Sequence, residues 1–269
     1  MDHKISVIVS TYNWPTALDA VLSALVRQED DNFEIIIADD GSTFETKDVV
    51  NKYKKLTKIP IQHVWQEDKG FRAAEIRNKA AQIADGQYLL FLDGDCMPTP
   101  GWIHLNRCLA EPRWIVQGQR ILLNEKFSQA ILAEVSSHSF SPTLKQAIHL
   151  SLQNKINRWW PLLHLPLGIT RKVKPKNWKI IRTCNLGVWK SDFMKIHGFD
   201  ESFVGWGHED ADLAVRLINS GVRTKIGAFS SVVFHLWHRL ASRTNASKNL
   251  SIVLERAHDG TVFPSKGIC

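Results

Sequence analysis

Strand-length apolar runs alternate with helical patterns through the first third of the chain, and this alternation leaves few folds open. The runs are Ile5 to Ser10, Phe33 to Ala38, Ile59 to Trp65 and Gln87 to Leu92. Between them the spacing predicts helices over Pro15 to Arg27, Thr46 to Lys55 and Arg72 to Ala84, the first opening on a proline suited to a first turn. The runs are continuously apolar, as strands buried on both faces are. Strand and helix in succession imply βαβ units and an open, mostly parallel central sheet flanked by helices, an α/β fold. Ligands of such sheets bind outside the carboxyl ends of the strands. The polar residues after each run are therefore the first candidates for a site: Thr11, Tyr12 and Asn13, then Asp39 and Asp40, then Glu67, Asp68 and Lys69, then Asp93 and Asp95.

The remainder is less regular. A strand is expected over Trp114 to Leu122, helices over Lys126 to Ser137 and Thr143 to Trp159, and a loop over the proline-rich, basic Trp160 to Lys179. Ile180 to Trp189 returns to the sheet pattern, and Ser191 to His197 reads as a short helix ended by Gly198. Val222 to Phe234 supplies one or two strands and Asn245 to Ala257 a last helix. No repeat or linker divides the 269 residues, which are expected to form a single domain.

Charge is unevenly placed. Ten Lys and Arg and no Asp or Glu fall between Val135 and Ser191, more than the net charge of +7, so the rest of the chain is net negative. Within that segment, Lys155 to Leu163 mixes cations with Trp159 and Trp160. One reading is a peripheral contact with anionic membrane. The other is a solvated basic face with both tryptophans in the core. No nucleic-acid motif accompanies the basic segment, so nucleic acid is not an expected partner. Four cysteines without metal spacing suit free thiols in a reducing compartment. The N-terminus lacks the features of a signal peptide and no run of about 18 apolar residues occurs. The expected location is cytoplasmic, at most peripheral on the inner face of the plasma membrane.

Four constellations carry chemistry. Asp93-Gly94-Asp95 ends a buried strand with two carboxylates that can grip a hard divalent cation; a solvated Asp-Gly turn fits that motif as well. Asp39-Asp40-Gly41-Ser42, set beside Thr11-Tyr12-Asn13, can hold a base and ribose or can be a turn and helix cap. Arg72, near a predicted helix start with Arg77 and Asn78 behind it, can face a diphosphate or belong to a solvated basic helix. Gly205-Trp206-Gly207-His208-Glu209-Asp210-Ala211-Asp212 puts three acids behind a glycine turn and before a helical pattern. Acids favour helix N-termini, which accounts for one or two of them.

Taken in order and spacing, these motifs resemble those of the GT-A glycosyltransferases of family 2, over about Ile5 to His238. The Gly205 to Asp212 stretch is similar to a motif of β-1,4-galactosyltransferases and bacterial chondroitin-type polymerases. The resemblance implies a GT-A, Rossmann-like fold. It would have a nucleotide-binding half over about residues 1–98, an acceptor-binding half over about 99–240 and a C-terminal helix within about 241–269. It implies Mn²⁺ or Mg²⁺ as cofactor, a UDP-sugar donor and a glycan or glycolipid acceptor such as lipopolysaccharide or capsule. Asp95 would bind the metal and Asp93 and Gly94 would lie nearer the ribose. Asp39 would read uracil, flanked by Thr11, Tyr12 and Asn13, and Arg72 and Asn78 would serve the diphosphate side. Asp210 would be the base of an inverting transfer and Glu209 its acceptor-binding neighbour, with Asp212 a first-turn helix acid. Trp206, Gly207 and His208 would meet the acceptor sugar. The family's last metal ligand is a histidine after a late strand: His235 first, His238 second. His208 and Ala211 depart from the galactosyltransferase pattern, which carries glycine and a further acid there.

Three rival classes remain. A sugar nucleotidyltransferase would need a glycine-rich loop after its first strand, and Ser10 to Pro15 has no glycine. A non-catalytic sugar-nucleotide or glycan-binding protein would not need the Glu209-Asp210 pair. A retaining transferase on the same fold differs in the anomeric configuration of its product.

Overall fold

The computed structural model describes residues 3–134, 140–203, 205, 207–239 and 245–268. The amino-terminal part follows the expected alternation: β1 (Ile5–Thr11), α1 (Pro15–Leu25), β2 (Phe33–Asp39), α2 (Phe44–Leu56), β3 (Ile61–Trp65), α3 (Ala73–Ile83) and β4 (Tyr88–Asp93). A short β5 (Cys96–Pro98) and α4 (Trp102–Leu109) follow, neither anticipated from the sequence. The chain continues through β6 (Trp114–Gln117), β7 (Gln119–Leu122), α5 (Glu125–Glu134) and α6 (Leu144–Leu152). It ends through β8 (Asn185–Trp189), α7 (Lys190–Lys195), α8 (Glu209–Asn219), β9 (Arg223–Ile226), β10 (Val232–His235) and α9 (Ala246–Asp259).

The main sheet runs β3-β2-β1-β4-β8-β6-β9. Only β8 is antiparallel to its neighbours. Successive side chains of a strand point to opposite faces, and both faces here are covered. Val7, Val9, Ile35 and Ile37 pack with Leu18, Val21 and Leu22 of α1. Ile8, Ile36, Leu89 and Phe91 pack with Ile76 and Ala80 of α3 and Leu213 and Leu217 of α8. This two-sided burial is why the strands read as unbroken apolar runs. Register aligns Thr11 with Asp39 and Ser10 with Asp93, so the polar ends of β1, β2 and β4 share one edge.

A second sheet, β5-β10-β7, stands at that edge. The single strand expected over Trp114 to Leu122 is therefore two strands in two sheets. The break falls at Gly118, where a Cβ would lie 2.2 Å from the Asn185 side chain. The Gly118 N–H donates to the Asn185 carbonyl at 2.9 Å. The helix expected over Thr143 to Trp159 starts with a capping box at Thr143 and Gln146 but stops at Leu152. Asn154 has φ 55°, and Ile156 then pairs with Leu123. The expected loop over Trp160 to Lys179 contains three short 3-10 turns, at Trp160–Leu163, Gly168–Lys172 and Trp178–Ile180. The strand expected from Ile180 begins only at Asn185.

Cys96, Cys108 and Cys184 are free thiols, as expected. Among the described residues, no helix is long and apolar enough to cross a membrane. The two tryptophans of the basic segment part company: Trp159 packs against the core, whereas Trp160 is 45% exposed.

Candidate active site

Pairing between β5 and β10 builds the first cluster. His235 lies opposite Cys96 in register, which brings the end of β10 beside Asp95. The Asp95 carbonyl accepts the Leu236 N–H at 2.9 Å and holds the chain just past β10. His238 Nε2 then lies 3.3 Å and His235 Nε2 3.7 Å from Asp95 Oδ2. The three side chains offer ligand atoms within 4.8 Å of one another. Burial pushes the His235 imidazole below its usual range, which favours the neutral, metal-ligating form. Two imidazoles and a carboxylate form a mixed N/O set that could hold a divalent cation. The two histidines are not alternatives here; both converge on Asp95.

Asp93 is not part of that triad. Its Oδ1 accepts from Ser10 Oγ at 3.1 Å and from Arg77 Nη2 at 3.0 Å. Gly94 is held by its N–H to the Ser10 carbonyl at 2.7 Å, and a Cβ there would come within 2.9 Å of that same oxygen. Arg77 is buried, and its Nη1 also donates to Glu209 Oε1 at 3.2 Å. One guanidinium thus joins the end of β4 to the start of α8. Like Arg77, Asp93 belongs to the bridge between the two elements.

The first turn of α8 holds the acid pair. His208 precedes it in the left-handed region, φ 73°, and its carbonyl accepts the Asp212 N–H at 2.9 Å. Burial lowers the His208 pKa. Asp210 is pushed up to about 7, first by burial and then by the negative charge of Glu209, with Arg182 and Arg77 opposing. A carboxylate with that pKa can take and hold a proton near neutrality. Asp212 is a first-turn acid of α8, as read from the sequence, and has a further task. It is fully buried and bonds Arg216 Nε at 2.7 Å and Arg256 Nη1 at 2.6 Å, an ion-pair node inside the protein. Gly207 is buried. Trp206 lies outside the described residues.

Other expected residues have different tasks. Asp39 is 1% exposed, its Oδ1 accepting the Ser42 N–H at 2.8 Å and its Oδ2 bonded to His63 Nε2 at 2.9 Å. These bonds shape the turn after β2. Arg72 donates to Glu75 at 3.0 Å and to the Glu67 carbonyl, so the arginine that reaches Asp93 is Arg77. Asn78 is buried and exchanges both ends of its amide with the backbone of Phe199, at 2.9 and 2.8 Å; it braces a turn instead of meeting a diphosphate. Thr11 is buried at the end of β1. Asn13 accepts the Thr43 N–H at 2.9 Å and ties the β1 and β2 loops together. Tyr12 is 52% exposed and donates to Asp68 at 2.9 Å.

Three contributors have no role assigned from the sequence, although Arg77 is named behind Arg72. Arg77 carried a signal: it is a charge within the small-residue run of α3, where Ala73, Ala74, Ala80 and Ala81 are buried. Trp65, exposed at the end of β3, donates to the Ser42 carbonyl at 3.0 Å and offers a second exposed aromatic surface besides Tyr12. Arg182, exposed, lies close enough to Asp210 to lower its pKa, and only the tertiary fold brings it there.

Residues 6–161 match the family model described as glycosyl transferase family 2. Residues 164–239 match the model described as N-terminal domain of galactosyltransferase. Validoxylamine A glucosyltransferase of Streptomyces hygroscopicus subsp. jinggangensis (strain 5008) is 30% identical over 81% of this chain and 52% of its own length. Chondroitin synthase of Pasteurella multocida (strain Pm70) is 28% identical over 81% of this chain and 23% of its own length. The chain thus spans about half of the first and less than a quarter of the second. Among solved structures, GalNAc-T7 with UDP, GalNAc and Mn²⁺ superposes with a TM-score of 0.63 and 16% identity, over 94% of this chain and 48% of that one. The mannosyltransferase PcManGT from Pyrobaculum calidifontis in complex with GDP-Man and Mn²⁺ gives 0.58 and 17%, over 88% and 58%. The shared architecture is the GT-A fold.

Proposed function

Because the chain belongs to glycosyl transferase family 2 and is thus a glycosyltransferase, we propose that it moves a hexose or N-acetylhexosamine from a UDP-sugar to a hydroxyl of a surface-glycan acceptor, with inversion. One observation carries the reading. The Glu209-Asp210 pair, at the start of a helix, is joined through Arg77 to Asp93 at the end of the strand that leads to Asp95. A sugar bound across that junction would have a base on one side and its leaving group on the other.

The chain's own groups divide the work. Tyr12 and Trp65 present exposed rings for a base. Asp95, His235 and His238 fit a divalent cation, which when bound would supply positive charge opposite a diphosphate. The acceptor hydroxyl donates to Asp210. Its oxygen attacks the anomeric carbon from the face opposite UDP, the bond from that carbon to the diphosphate oxygen breaks, and the proton passes to Asp210. Arg77 holds Glu209 and Asp93 at fixed separation while charge moves past them. The two residue ranges 1–98 and 99–240 are proposed to serve donor and acceptor respectively.

A screen of UDP-hexoses and UDP-N-acetylhexosamines with Mn²⁺ tests this reading, with methyl glycosides as acceptors and NMR of the product. A β-linked product from an α-linked donor is expected. An α-linked product would replace inversion by retention. Binding without turnover across the panel would leave a sugar-nucleotide-binding protein.

The acceptor is proposed to be presented at an anionic membrane, the inner face of the plasma membrane, through the basic segment. Ile169 is 84% and Val173 72% exposed in that segment, beside Lys172, Lys174 and Lys176. Such a mixture of apolar and cationic groups suits a lipid surface. Salt-sensitive flotation with phosphatidylglycerol vesicles is expected, and its absence removes this part of the proposal.

A further inference from the structure

The turn before the acid pair has a backbone that L side chains resist. Gly205, Gly207 and His208 have φ of 81°, 109° and 73°. Glycine makes two of these positions accessible but brings no side chain of its own to hold them. An external hold is present. Asn249 of α9 is buried, and its Nδ2 donates to the Gly207 carbonyl at 2.9 Å.

The rest of the α9 face anchors that contact. Asn249, Val253 and Arg256 are the buried residues of α9 and follow the spacing of one helical face. Val253 packs with Phe203, Ala211 and Val215. Arg256 bonds Asp212 Oδ1 at 2.6 Å and Asp200 Oδ2 at 2.7 Å. The face therefore touches the glycine turn at one end and the body of α8 at the other, with the acid pair between. Both family matches stop before α9, at residues 161 and 239. The element that holds the turn lies beyond both matched ranges.

We propose that Asn249 is a positioning residue: its hydrogen bond to the Gly207 carbonyl sets the glycine turn, and with it the direction from which an acceptor sugar reaches Asp210. This rests on the acceptor-side reading of Asp210. The side chain touches no reacting atom; it acts through the backbone of the turn.

Asn249→Leu removes the donor and keeps the bulk, and Asn249→Gln keeps the donor on a longer arm. Hydrogen exchange across residues 205–212 reports the turn without any substrate. Calorimetry with UDP and Mn²⁺ reports the donor side. Transfer to methyl β-hexosides, using the nucleotide sugar the wild type turns over, reports the acceptor side. For Asn249→Leu, exchange across 205–212 is expected to rise about tenfold, UDP affinity to stay within about twofold, and the acceptor KM to rise roughly five- to tenfold with hydrolysis of the donor by water unchanged. Partial recovery is expected in Asn249→Gln. Unchanged exchange across 205–212 overturns the proposal whatever the activity, and so does an equal loss of donor hydrolysis and transfer. If the wild type transfers to none of the acceptors, the functional reading fails while the exchange result still judges the brace.

Discussion

Two sides of the candidate site are built by different means. On the strand side, Thr11, Asp39 and Asp93 arrive together because three parallel strands are hydrogen-bonded in register. On the helix side, Glu209 and Asp210 arrive because a glycine turn and a buried set of ion pairs, Asp200, Asp212, Arg216 and Arg256, hold one helix start. Backbone pairing tolerates a changed side chain. A buried ion-pair set does not, because removing one member strands the others. Chemistry and stability are thus separable on the strand side and coupled on the helix side, with Arg77 belonging to both.

The largest expected effect is on the strand side. Chelation with EDTA is expected to abolish transfer and Mn²⁺ to restore it, with the melting temperature little changed; transfer that survives EDTA breaks the assignment of Asp95, His235 and His238. Next is Asp210→Asn, expected to lower transfer by roughly 10²–10⁴-fold, the scale of a lost general base, while UDP binding persists. Near wild-type turnover would remove Asp210 from the chemistry. Arg77→Met should affect both sides at once, weakening UDP–Mn²⁺ binding and transfer together and costing about 3 kcal/mol in urea unfolding, the scale for a broken buried pair. A loss confined to one side would show that Arg77 does not bridge them.

Acid titration gives two smaller effects of opposite sign. Asp210 must be ionised to accept a proton, so transfer should rise about tenfold per pH unit below its pKa of about 7 and level off above it. For stability the direction reverses. The folded state binds this proton more tightly than the unfolded state, so stability falls as pH rises from about 4 toward about 7. Asp210→Asn should therefore melt a few degrees above wild type at pH 8 and level with it at pH 4. Asp200 behaves oppositely: despite burial, its hydrogen bonds to Ser202, Ser265 and Arg256 lower it to about 2, so its contribution is present above the usual aspartate range and lost as pH falls to about 2. Differential scanning at several pH values separates the two.

The strand side was the more legible in the sequence, for a physical reason. Strands buried on both faces must be apolar throughout, and the residue that ends each is set by local chain direction. Even there, Asp39 and Arg72 show the limit. Position after a strand or before a helix does not say whether a carboxylate is sealed under a turn by Ser42 and His63, or whether a guanidinium is already engaged by Glu67 and Glu75. The short β5 was invisible because three residues become a strand only by pairing with β10, far along the chain. Asp212 is the expected first-turn acid, but its pairing with Arg256 was not legible because it depends on how α9 docks. His235 and His238 could both be named from the sequence, but their convergence on one oxygen of Asp95 could not.

The hydrogen bond from Gly118 to the Asn185 carbonyl has a consequence for how such a chain diversifies. Because β8 runs against its neighbours, it begins at the ligand edge, the edge where β6 ends. The chain from 118 to 185 is therefore a closed excursion with a narrow neck, leaving and rejoining the main sheet at one place. Helices, basic turns and exposed apolar residues can be lengthened, shortened or exchanged within it while the main sheet keeps its strand order. Grafting experiments that swap segments at this neck would keep the main sheet while replacing Arg182, which acts on Asp210, and β7, which pairs with β10.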